Sequence, residues 1–178
     1  MITGRLAAAL LATSAIAPPS VAAQEAETRL LRDPALSDSK LAFAYAGDIW
    51  IADKDGRNPV RLTSHPADER DPVFSPDGSK IAFTADYDGN DDVFVIDVTG
   101  GEATRLTWHP GNDTAIDWTA DGQSVALVSA RERRSGRSGQ LFHVSLKGGL
   151  TKKVSEADVS GGAYNGDGSV FASVPWRS

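Results

Sequence analysis

Apolar residues along this chain gather in short runs that are apolar on both faces, with polar turns between them. Ile81-Ala82-Phe83 and Val93-Phe94-Val95-Ile96 show no polar alternation. Each therefore predicts a strand covered on both sides rather than one in a half-solvated sheet. The arrangement recurs. Asp71 through Phe83 returns as Ala115 through Leu127 and again as Ala163 through Ala172, while an earlier copy, Asp33 through Phe43, is two residues shorter at its turn. The second half of each unit repeats too: Asp48-Ile49-Trp50-Ile51-Ala52-Asp53 matches Asp92-Val93-Phe94-Val95-Ile96-Asp97, then Gln140-Leu141-Phe142-His143-Val144-Ser145. After a Gly-containing turn comes Val60-Arg61-Leu62-Thr63, Thr104-Arg105-Leu106-Thr107 or Lys152-Lys153-Val154-Ser155. Steps of 44 and 46 residues separate Asp77, Asp121 and Asp167. A period in the forties with four short strands per unit predicts an all-β fold of propeller blades. Nothing beyond residue 23 sustains a helical period, so essentially no helix is expected.

The turns fit this reading. Ser75-Pro76-Asp77-Gly78 places Ser first, Pro second and Gly fourth, as a type I turn prefers, and so joins two strands in a hairpin. Asp86-Tyr87-Asp88-Gly89-Asn90-Asp91 reads as a polar loop to the next strand. Gly100-Gly101 and Gly148-Gly149 read as tight turns into a fourth strand; no helix follows them, so they are not phosphate-cradling loops.

The N-terminus stands apart. Arg5 precedes an apolar run from Leu6 to Ala17, Pro18-Pro19-Ser20 breaks it, and Val21-Ala22-Ala23 supplies the small residues of a cleavage site. Residues 1–23 are expected to be a secretory signal peptide, too short to span a bilayer and cleaved after Ala23, leaving a soluble periplasmic or secreted chain. Of 178 residues, 155 then remain, enough for about three and a half blades: 33–70, 71–114, 115–160 and a partial 161–178. An incomplete propeller over 24–178 cannot close a ring, which takes roughly four to eight blades, and its end blades would show apolar flanks. The absence of Cys rules out disulfides and thiol chemistry, and a net charge of −6 argues against nucleic acid as a partner.

The Ser75-Pro76-Asp77-Gly78 turn with Ile81-Ala82-Phe83, the Asp88-to-Asp97 strand and Gly100-Gly101-Glu102-Ala103-Thr104-Arg105-Leu106-Thr107 resemble the WD-like repeats of TolB-type propellers. They are also similar to the N-terminal propeller of tricorn-like serine peptidases. Leu62-Thr63-Ser64-His65-Pro66 and Leu106-Thr107-Trp108-His109-Pro110 look like that family's inter-blade phrasing, and the first unit follows the leader closely. The resemblance covers about residues 30–175. It implies a non-catalytic segment that guides or gates peptide substrates and scaffolds assembly, with serine and histidine chemistry in C-terminal domains beyond this chain. It also implies a peptide or protein ligand and a possible homo-oligomer of the parent protein. A TolB-like periplasmic interaction propeller and a prolyl-oligopeptidase-like lid are the competing expectations.

The candidate chemistry yields no catalytic, cofactor or metal residue. His65 and His109 recur one blade apart, each before a Pro, and His143 takes the strand position of Val95; all three are expected to be structural. Ser135-Gly136-Arg137-Ser138-Gly139 lacks the spacing of a nucleophile elbow. Asp86, Asp88, Asp91 and Asp92 put four carboxylates in seven residues, which invites calcium, yet Gly89 falls fourth rather than sixth and no Glu follows at the twelfth place. Arg131, Arg133, Arg134 and Arg137 form a basic cluster, expected to be a solvated loop with an acidic partner as the alternative.

Overall fold

A computed structural model describes residues 31–132 and 139–175. The signal peptide expected over residues 1–23 and the arginines Arg133, Arg134 and Arg137 lie outside the described residues. Fourteen strands and no helix make up the rest. They form three sheets of four strands and one of two.

The first blade is β1 (Arg32–Leu36), β2 (Lys40–Tyr45), β3 (Asp48–Asp53) and β4 (Val60–Arg61). The second is β5 (Glu69–Phe74), β6 (Lys80–Ala85), β7 (Asp92–Asp97) and β8 (Thr104–Arg105). The third is β9 (Asp113–Trp118), β10 (Ser124–Ser129), β11 (Gln140–Ser145) and β12 (Lys152–Lys153). The fourth consists of β13 (Val159–Tyr164) and β14 (Phe171–Pro175). Every pairing is antiparallel and follows chain order. The first strands β1, β5, β9 and β13 lie successively side by side. They are the inner strands, and the two-residue β4, β8 and β12 are the outer edges. The result is an open arc of a propeller.

Double-sided burial holds the arc together. β2 and β3 turn Ala42, Ala44, Ile49 and Ile51 toward the second blade, which answers with Ile81, Phe83, Ala85, Phe94 and Ile96. The opposite face of that blade offers Ala82, Val93, Val95 and Leu106 to Trp118, Val125, Leu127, Phe142 and Val144 of the third. Ala126 and Leu141 then meet Val159 of the fourth. Phe83 and Phe142 are fully buried, each stabilising the stack by roughly 2–3 kcal/mol.

The hairpin turns show why Ser, Asp and Gly recur. Ser75 Oγ accepts the Lys80 N–H at 2.9 Å and Asp77 Oδ1 accepts the Ser79 N–H at 3.0 Å. Thr119 and Asp121 repeat both bonds, and Asn165 and Asp167 repeat them again. The Ser75 hydroxyl and the Ser79 N–H hold the Asp77 carboxyl down to about 2. Gly168, at φ +72°, lies so close to the preceding blade that a Cβ would come within 2.7 Å of Ala120 Cβ. Inner strands β1 and β5 each carry a bulge at Asp33-Pro34 and Asp71-Pro72, where the Asp takes φ of 53° and Pro has no N–H to lose.

Candidate functional site

Because the strands alternate in direction, the β2–β3, β6–β7 and β10–β11 loops gather at one end with the connections between blades. Among the described residues, the buried acids Glu69, Asp92 and Asp113 sit there.

A buried acid opens the inner strand of the second blade and another opens that of the third. Glu69 is fully buried; its Oε2 accepts the Ile49 N–H at 3.1 Å and the Thr63 hydroxyl, and its Oε1 accepts the Tyr87 hydroxyl at 2.5 Å. Burial pushes the Glu69 carboxyl above its ordinary range, and burial beside that carboxyl pushes the Tyr87 phenol up as well. The Tyr87 and Phe94 ring centroids lie 4.4 Å apart, and His65 lies tilted by 31° over Tyr87 with centroids 3.8 Å apart. One blade on, the same positions hold Asp113 and Arg131. Asp113 is fully buried, and its Oδ2 receives Arg131 Nη2 at 2.5 Å. Arg131 also bonds Thr151 and lies 5.1 Å over Phe142, the counterpart of Phe94. The shorter aspartate leaves its buried Oδ1 without a partner among the described residues. Arg131 therefore does not belong to a solvated basic cluster: its side chain is only 14% exposed, because a buried carboxylate demands a countercharge.

The three histidines have visible duties. His65 Nδ1 accepts the Ala67 N–H at 3.1 Å and His109 Nδ1 accepts the Gly111 N–H at 2.9 Å. Each caps the His-Pro turn between two blades, which accounts for their spacing. His143 is half-buried, with Nε2 2.9 Å from the Tyr164 hydroxyl. Burial foremost, then Lys152, holds its imidazole below the ordinary range.

The four loop carboxylates are held by different groups, except that Asp88 and Asp92 share Arg105. Asp86 accepts the Gly89 N–H, Asp88 pairs with Arg105, and Asp91 pairs with Arg70. Asp92 is buried and accepts from Arg105 and from the Thr107 hydroxyl, the latter at 2.9 Å. Among the described residues, no three His, Asp or Glu side chains converge as metal ligands would.

Two grooves open between successive blades on equivalent positions. One, of about 590 Å³, is bounded by Leu62, Ser64, His65, Tyr87 and Glu102. The other, of about 260 Å³, is bounded by Leu106, Trp108, His109, Arg131 and Leu150. Aligning the repeats places Ser64 against Trp108, Glu102 against Leu150, Tyr87 against Arg131 and Glu69 against Asp113. That alignment was the available signal for the Glu69–Tyr87 and Asp113–Arg131 clasps and for the grooves, none of which composition or local spacing reveals.

An open arc of four-stranded antiparallel blades with polar clasps and inter-blade grooves defines a β-propeller module. The family model described as the tricorn protease N-terminal beta propeller domain matches residues 28–178, and the chain belongs to that family. Tricorn protease homolog 1 of Streptomyces coelicolor (strain ATCC BAA-471 / A3(2) / M145) is 35% identical over 66 residues, which are 37% of this chain and 6% of that protein. The solved TolB of Acinetobacter baumannii aligns with a TM-score of 0.62 and 25% identity, covering 83% of this chain and 39% of its own. The tricorn protease structure aligns with a TM-score of 0.68 at 19% identity, covering 78% of this chain and 14% of that one, a likeness of fold. The chain thus spans well under half the length of these relatives.

Proposed function

We propose that this propeller is the non-catalytic, peptide- or protein-binding part of an exported tricorn-like serine peptidase. It guides or gates peptide substrates and scaffolds the parent assembly, while bond cleavage resides in other domains of that parent. The observation that carries the reading is the family match over residues 28–178, a span occupied by propeller repeats. The Arg5-to-Ala23 pattern supports export to the periplasm or beyond. The test compares the parent protein with a version lacking residues 24–178. Cleavage of a short fluorogenic tripeptide persists in both, whereas selectivity among longer peptides changes on deletion. Hydrolysis by this chain alone, or identical selectivity with and without it, overturns the reading. A second reading, a TolB-like interaction propeller without an attached enzyme, draws on the 25% identity to TolB over 83% of the chain. It requires a parent with no peptidase activity on any peptide.

A further inference from the structure

The two grooves share positions but not chemistry. Where the first has Ser64 and Glu102, the second has Trp108 and Leu150. Both changes run from polar to large apolar and both fall on one groove. Both side chains stand in solvent, Trp108 at 73% and Leu150 at 99% exposure. Exposed apolar area is unfavourable in water, and the neighbouring groove avoids it at the same places. The geometry points to the Trp108–Leu150 groove as the docking site of an extended, uncharged peptide segment that seats one aliphatic or prolyl side chain between these two residues. This rests on the peptide-binding reading above and names its site.

Size selects the occupant. A groove of about 260 Å³ takes a side chain, not the surface of a folded domain. Two exposed apolar side chains, Trp108 and Leu150, fall well short of the roughly 20–30 residues a side that a stable protein interface buries. Charge selects as well. Arg105 lies 4.1 Å from the Trp108 ring centroid, but Asp88 and Asp92 neutralise it. Arg131 is neutralised by Asp113. An anionic anchor would meet no free countercharge on these two cations, and a cationic one would have to compete with Arg105 for Asp88 and Asp92, while an aliphatic or prolyl group gains the indole face and the Leu150 side chain.

The experiment titrates the chain with acetylated, amidated pentapeptides Ala-Ala-Xaa-Ala-Ala, with Leu, Pro, Asp or Lys at the centre. Binding is followed by NMR at the Trp108 indole N–H, which Trp108→Ser identifies. The Leu and Pro peptides shift that resonance, and the Asp and Lys peptides bind at least about tenfold more weakly. Trp108→Ser with Leu150→Glu installs the residues the other groove already accommodates; titrated by calorimetry beside the unaltered chain, because the indole probe is gone, it weakens the Leu and Pro peptides at least about tenfold. Should the double variant melt earlier, Leu150→Glu alone, at a fully exposed position, supplies the comparison. Binding that survives the exchange overturns this site while leaving the peptide-binding reading intact. Self-association in sedimentation that the exchange abolishes makes a second copy the occupant and overturns the proposal. Failure of every peptide to bind overturns this site, and the selectivity of the parent with and without residues 24–178 decides the reading beneath it.

Discussion

Arg131→Ala isolates the most consequential ion pair in the described structure. The substitution leaves the Asp113 carboxylate, fully buried, without the guanidinium that sits 2.5 Å from its Oδ2. Removing one partner of a buried pair costs roughly 3–5 kcal/mol, because the remaining charge has no solvent to turn to. Arg131 keeps 14% of its side chain exposed, which places this case near the lower bound, about 3 kcal/mol. Losing the contact over Phe142 adds up to about 1 kcal/mol. For a chain of this size each kcal/mol lowers the melting temperature by roughly 2–4 °C, so a fall of about 10 °C is expected. Urea denaturation and thermal melts at pH 7 measure it. Asp113→Asn in the same background recovers part of the loss, since the orphaned charge is then gone, and the double-mutant cycle gives a coupling of about 2 kcal/mol or more. A loss below about 1 kcal/mol, or a coupling near zero, would mean that the pair behaves like a solvent-screened surface contact and would refute the reasoning.

Three further outcomes follow from the same geometry. Because burial raises the Glu69 carboxyl, the folded state holds that proton more tightly than the unfolded chain; its stabilising contribution is full below the ordinary carboxylate range and is lost as pH rises through the raised folded value. Glu69→Gln, which keeps an acceptor for the Ile49 N–H but cannot ionise, flattens that part of the melting temperature against pH, and an unchanged slope would assign it to another group. Gly122→Ala forces a side chain onto a φ of +65°, costing about 1–2 kcal/mol by urea denaturation, whereas Ala130→Ser on the exposed loop costs next to nothing. His109→Ala removes the acceptor of the Gly111 N–H and lowers stability by about 1 kcal/mol, and His109→Asn, short but still able to accept from the turn, recovers much of it.

The repeat makes the architecture legible in the sequence. Double-sided strands such as Val93 to Ile96, Ser75-Pro76-Asp77-Gly78 turns and the recurring Gly are local signals, and local signals survive in a single sequence. The recurrence of His65 and His109 pointed to a structural role, and the Nδ1 caps supply the physical reason. Arg131 reads as a solvated loop residue because Arg133, Arg134 and Arg137 follow it closely, whereas apart from a local bond to Ser129 its environment is made by Asp113, Phe142 and Thr151, all at least ten residues away. Buried countercharge is a tertiary property. Trp108 and Leu150 escaped for the opposite reason: nothing in their local sequence says that they stand in solvent across one groove.

Stacked repeats share a hazard, which is that each blade can mistake another for its neighbour while the chain collapses. Beyond the shared His caps, the side-chain contacts from blade to blade differ at each junction. The first uses Glu69 against the Ile49 N–H and Thr63. The second uses Thr84 Oγ1 as acceptor for the Ala115 N–H and the Val73 carbonyl as acceptor for the Trp118 indole. The third uses Asp117 as acceptor for the Tyr164 N–H and His143 against the Tyr164 hydroxyl. A blade seated out of turn would satisfy the apolar faces yet strand buried donors and acceptors, each at a cost of about 1–3 kcal/mol. Non-identical junctions thus act as an address written into near-identical parts, keeping the blades in order while the shared hydrophobic faces draw them together.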